Sequence, residues 1–256
     1  MLFSDNCKER VFSKVSDIGQ IVEYVTGKTE IGRNTEAIEN FIFCFFLIVC
    51  FIKSKIALPI KVQRRRKEQS PDFVLCYGVE QKLLGLEHTR ATTEKYKRDM
   101  KVFEQYPEGS LLELPFYDPN DKLPKKSRIA MRKPGEKLRS PGWGDYGMEK
   151  AWILIISCAI DQKTEVLNKK HYEKFPSNEL IVEDESHVSS HKRLGKSISM
   201  LRENHLRVTP EGQLEFDKVH IITEGHLIYD VFGEAFETSI QKTELYEMWQ
   251  QHVRES

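Results

Sequence analysis

Phe41 to Ile52 reads FIFCFFLIVCFI, twelve apolar residues without a break, and it constrains the fold more than any other segment. Glu36, Glu39 and Asn40 precede it, and Lys53 and Lys55 close it. As a helix, such a run rises only about 18 Å, well short of a hydrocarbon core of roughly 30 Å. An element apolar on every face is therefore expected inside the molecule, against a sheet, and not across a membrane. Asn34 and Thr35 suit a helix N-cap, and Glu36 suits the positive first turn, so a helix over about 35–55 follows.

The rest of the chain has material to enclose it. With 256 residues, 39% of them hydrophobic, the sequence makes one elaborated domain or two small ones. Thirty-nine basic residues balance 39 acidic ones, so attraction to nucleic acid must come from a local patch. The five cysteines (Cys7, Cys44, Cys50, Cys76 and Cys158) are odd in number and form no CxxC. That argues against a disulfide framework and for a reducing compartment, the cytoplasm. Met1–Gln20 carries charges and no apolar h-region, so no cleaved signal is expected there.

Residues 1–33 read as a small helical or irregular leader, and 34–256 as a single α/β domain. Strands are expected at Leu58–Gln63, Phe73–Tyr77 and Leu83–Thr89, the last two joined by a turn at Gly78–Lys82. Pro107, Pro115, Pro119, Pro124, Pro134 and Pro141 then break the rhythm. They suggest a short helix near 92–105 within a loop-rich insertion over about 92–146. A strong helix over about 147–172 and a strand at Asn178–Glu183 follow. A helix near 190–206, a hairpin of Val219–Thr223 with Leu227–Val231, and a polar helix near 243–253 complete the chain.

The chemistry concentrates in residues 70–91, SPDFVLCYGVEQKLLGLEHTRA. Alternation puts Glu87 and Thr89 on one face of their strand, with Leu86 and His88 on the other. Asp72 begins the preceding strand, and a short turn makes the two strands antiparallel, so Asp72 and Glu87 meet at one end of the sheet. Two carboxylates at low dielectric repel and need a cation or a proton. A hard divalent ion with oxygen ligands and retained waters suits them. Asp72 as a turn residue after Pro71 and Glu87 as an exposed strand position are the plainer readings.

Pro71-Asp72, a short strand and then Glu87-x-Thr89 resemble the PD-(D/E)xK nuclease superfamily, and more closely a subset with PDF followed by GxExT. The likeness covers about residues 34–91 and continues more weakly through 147–184. It implies a helix, three antiparallel strands, a second helix and a fourth strand, within a mixed sheet of four to six strands flanked by helices. It also implies that Asp72 and Glu87 hold Mg²⁺ (or Mn²⁺) for phosphodiester hydrolysis in DNA, with RNA as the second choice. An acidic residue on the first helix assists in many relatives; Glu36 and Glu39 are both present, and Glu39 lies nearer the buried run.

The sequence departs from the motif at Thr89, which occupies the lysine position. A substitute lies on the second helix, where Ile153, Ile156, Ile160, Lys163 and Leu167 share one face. Burying that ammonium is costly unless a carboxylate or phosphate meets it; otherwise it snorkels to solvent. Lys163 resembles the catalytic lysine that some superfamily members carry there, and Gln162 is its neighbour. Without such a lysine, the alternative is a catalytically degenerate relative that binds nucleic acid or protein independently of Mg²⁺.

Phosphate contacts are expected from Arg64, Arg65 and Arg66 before the PD motif, and from Lys125, Lys126, Arg128, Arg132 and Lys133 in the insertion. His187 and His191 are four apart, but Val188 replaces the Glu of an HExxH zinc site. No GxSxG or Walker motif occurs, which disfavours acyl transfer and P-loop hydrolysis.

Overall fold

The computed structural model describes residues 9–27, 35–65, 71–92, 97, 111–113, 130–132, 147–185, 194–205, 215–223, 226–233, 237–241 and 244–255. It divides into two compact units. The first holds residues 1–89, 163–183 and 211–256; the second holds 90–162 and 184–210. The second unit takes in the 92–146 insertion together with 147–162 and 184–210.

In the first unit, α1 (Val15–Gly27) and α2 (Thr35–Ile52) precede β2 (Ile60–Arg64), β3 (Phe73–Tyr77) and β4 (Lys82–Ala91). The apolar run is helical throughout, and Phe41 to Phe51 are all buried. No helix among the described residues is long and apolar enough to cross a membrane. α2 ends where Ser54 adopts a φ of 54° and the Lys55 N–H returns to the Cys50 carbonyl at 2.8 Å, a left-handed cap that stops propagation.

Within the stretch read as a leader, residues 9–27 are built into the first unit. β1 (Glu9–Phe12) pairs antiparallel with β2, and Ile18, Ile21, Val22 and Val25 of α1 join the core around α2. The Asp17 carboxylate accepts from the Ser13 and Lys14 N–H groups at 2.8 and 2.9 Å, which caps α1. The C-terminal α5 (Leu245–Glu255, the helix expected near 243–253) adds Leu245 and Trp249 to the same core.

Further along the chain the sheet resumes with β7 (Ser177–Asp184), β8 (Lys218–Thr223), β9 (His226–Tyr229) and β10 (Glu237–Gln241). The order β1-β2-β3-β4-β7-β8-β9-β10 gives eight strands, two more than the upper expectation, because β1 and β10 extend both edges. The fold is α/β with a mixed sheet. The β1-β2-β3-β4 and β8-β9-β10 pairs are antiparallel. β7 runs with β4, as Gly85 lies beside Asn178 and His88 beside Glu183.

A buried polar cluster ties β7 to β8. Glu179 accepts from Lys218 Nζ at 2.8 Å and lies 2.9 Å from His220 Nε2, while His220 Nδ1 accepts the Asp230 N–H at 3.1 Å. Burial would raise the Glu179 pKa, but the bonds and charges of His220 and Lys218 outweigh it, and the net shift is downward.

In the second unit, α3 (Gly147–Leu167, whose last turn belongs to the first unit) buries Ala151, Trp152, Ile153, Ile155 and Ile156. Trp152 Nε1 donates to Asp184 at 2.7 Å, and α4 (Leu194–His205) buries Ile198 and Leu201. β5 (Leu111–Glu113) and β6 (Ala130–Arg132) form a two-stranded sheet within the stretch read as a loop-rich insertion, whose expected helix near 92–105 lies almost wholly outside the described residues.

Candidate functional site

The turn between β3 and β4 sets the site's geometry. Gly78, at a φ of 73°, and Gln81, at 52°, reverse the chain with the Gln81 N–H on the Gly78 carbonyl at 3.1 Å. The register this fixes runs from Tyr77 opposite Lys82 to Phe73 opposite Leu86. One step further, Asp72 faces Glu87. The Asp72 Oδ2 accepts the N–H of His88 at 2.8 Å, which pins the carboxylate at the strand end. Leu84 and Leu86 enter the α2 core, and His88 reaches Glu183 at 3.3 Å, so alternation turns Glu87 to the other face.

Glu87 is 2% exposed. Lys163 Nζ, from the last turn of α3, donates to its Oε1 at 2.5 Å, joining residues 76 apart in sequence. The lysine thus meets a carboxylate rather than snorkelling past the stripe, and its side chain keeps 23% exposure. Burial, then the charge of Asp72, raises the Glu87 pKa, and Lys163 offsets only part of this. Glu87 Oε2 is buried and has no partner among the described residues. An unsatisfied carboxylate oxygen beside a second carboxylate fits a cation, and a hard ion can complete its shell with water. Among the described residues, no group of three or more His, Cys, Asp or Glu is arranged around a metal position.

The structure brings together Asp72, Glu87 and Lys163 but sends other expected residues elsewhere. Glu39 Oε2 bonds Arg64 Nη2 at 3.0 Å, and Glu36 Oε1 bonds Arg64 Nη1. Arg64 pairs in register with Phe73, whose ring stacks on Phe43 of α2 at 4.3 Å, so this ion triad lies on the α2 face. Glu39 is therefore engaged with Arg64, on the face opposite Glu87, and Arg64 is 16% exposed and turned inward to two carboxylates instead of outward to phosphate. Gln162 bonds Cys158 within its own helix at 3.4 Å. Arg66, Lys125, Lys126, Arg128, Lys133, His187 and His191 lie outside the described residues; Arg132 ends β6.

Arg65 is placed differently. Its guanidinium pairs with Glu173 at 2.5 Å and lies 5.4 Å from the centre of the Phe175 ring. Phe175 in turn crosses β4 at Gly85, where a Cβ would sit 2.8 Å from its ring and 3.0 Å from Pro71. Glycine there lets the 172–175 stretch lie directly on the strand that carries Glu87. Tyr172 is 4% exposed, its hydroxyl has no partner among the described residues, and burial followed by the Glu87 and Asp72 charges raises its pKa. Nothing in the sequence marked Tyr172, because its position depends on the loop after α3 folding back over β4.

Comparison with known proteins adds no relative: no family model, curated protein or solved structure matches the chain.

Proposed function

We propose that this chain is a Mg²⁺-dependent nuclease of the PD-(D/E)xK type, cleaving phosphodiester bonds in DNA more readily than in RNA, in a reducing compartment such as the cytoplasm. The observation that carries the reading is the 2.5 Å contact of Lys163 with Glu87 beside Asp72. It gives the two-carboxylate, one-lysine set that the motif needs, although Thr89 fills the usual lysine position. Asp72 and Glu87 would hold the ion through Asp72's free oxygen capacity and Glu87 Oε2. When bound, the ion supplies Lewis-acid charge and lowers the pKa of water. The chain supplies the rest. The His88 N–H holds Asp72 in place. Lys163, partly exposed, orients the attacking water or neutralises charge developing on the phosphate.

Supercoiled plasmid incubated with purified protein and Mg²⁺ or Mn²⁺ tests this. The wild type is expected to nick it, and Asp72→Asn and Lys163→Met to lose about a hundredfold or more in rate while retaining the wild-type fold. Undiminished cleavage in both variants would sink the reading.

A second reading follows from the same contact. Lys163 already neutralises Glu87, and no third ligand side chain joins the pair among the described residues, as expected of a degenerate nuclease fold that only binds. It predicts DNA or protein binding that is equal in EDTA and Mg²⁺ and unchanged in Asp72→Asn.

A further inference from the structure

The loop after α3 reaches the site without a role in the set above. A turn bond from the Tyr172 N–H to the Lys169 carbonyl at 3.1 Å starts the loop, Glu173 holds Arg65, and Phe175 covers Gly85. Tyr172 is buried in this loop. Its phenol feels Glu87, Asp72 and Arg65, and burial keeps it protonated, with one hydrogen to donate. Neither nearby carboxylate takes that hydrogen. Asp72 accepts from the His88 N–H and Glu87 accepts from Lys163, while the Tyr172 hydroxyl and Glu87 Oε2 are both buried without partners among the described residues. Buried hydroxyls are nearly always bonded in native proteins, so two complementary orphans in one neighbourhood point to an occupant that supplies both partners. The acceptor suits a cation, and the donor suits an oxygen carried with it.

We propose that the Tyr172 hydroxyl donates to a non-bridging oxygen of the phosphate group bound beside Asp72 and Glu87, which makes Tyr172 a substrate-positioning residue; this rests on the nuclease reading. Phosphate oxygens need donors, and the described residues offer three: Lys163 Nζ, the Tyr172 hydroxyl, and Arg65 if phosphate displaces the mostly exposed Glu173. Among the described residues, Tyr172 is the one of these with no partner to give up.

The test compares wild type with Tyr172→Phe, which removes one oxygen and no packing. Melting is followed in Mg²⁺ with and without inorganic phosphate, and cleavage kinetics are followed on duplex DNA. Phosphate is expected to raise the melting temperature of the wild type and not of Tyr172→Phe. Without phosphate, the variant should melt at or above the wild type, since it has shed an unsatisfied hydroxyl. On DNA its KM should rise about tenfold, with kcat changing less. An equal phosphate response in both proteins, or none in either, would overturn the assignment. A Tyr172-dependent phosphate response in a protein that cleaves no DNA would uphold the phosphate site and remove the nuclease reading. Cleavage lost in Asp72→Asn but unaltered in Tyr172→Phe would do the reverse.

Discussion

Glu87→Gln is expected to melt at a higher temperature than the wild type at neutral pH in EDTA, and to cleave DNA in Mg²⁺ more than about a hundredfold more slowly. Both effects have one source. Burial and the adjacent Asp72 charge hold the Glu87 pKa above its ordinary value of 4.5, and Lys163 only partly offsets them. A group whose folded pKa is raised binds its proton more tightly in the native state than in the unfolded one. Its stabilising contribution is complete below the unfolded pKa and is lost as pH rises through the folded pKa. The wild type therefore carries a penalty at neutral pH that the neutral amide does not, and Gln still offers Lys163 an oxygen. The melting advantage of Glu87→Gln should shrink as pH falls toward 4.5. Thermal unfolding across a pH series checks this; a variant less stable than wild type at every pH would show that the ion pair stabilises the fold outright. A residue that weakens the fold yet is needed for cleavage marks a functional site rather than a structural pair.

The second large effect lies in the core. Phe43→Ala should destabilise the first unit by about 3–5 kcal/mol, a large part of the roughly 5–15 kcal/mol typical of a domain. Phe43 is 1% exposed, and its ring stacks on Phe73 at 4.3 Å with 15° between planes. Phe73 is the residue after Asp72, so the cavity would open directly behind the site's strand. Phe43→Leu keeps most of the volume and loses the stacking, for which about 1 kcal/mol is expected. Urea unfolding separates the two; equal midpoints for Phe43→Ala and wild type would mean that α2 does not anchor the sheet.

Legibility in the sequence followed the range of the interaction. The Asp72–Glu87 pair came from a local hairpin, where a short turn and period-two alternation suffice. Lys163 came from helical periodicity, and its contact with Glu87 gave that inward stripe its partner. α2 was legible because a twelve-residue apolar run has few places to go. What escaped depended on distant chain segments. β1 and α1 read as a leader because their partners, β2 and α2, come later and carry no matching local signal. Arg64 read as a phosphate contact because sequence shows charge but not which carboxylates fold over it. The length of the run hid that Glu36 and Glu39 lie on the side of α2 that meets Arg64. Tyr172 carries no motif, and Gly85 was legible only as the glycine of GxExT; the loop's close approach to β4 gives both a physical reason.

The measurement that bears most directly on the central claim is isothermal titration of the purified chain with Mg²⁺ and Mn²⁺, wild type beside Asp72→Ala. If Asp72 and Glu87 form a metal site, heat is released or absorbed at a single saturable site in the wild type and vanishes in the variant. Binding of equal strength and stoichiometry in Asp72→Ala, or none in the wild type, would contradict a metal centre at the paired carboxylates and leave the chain to the binding-module reading.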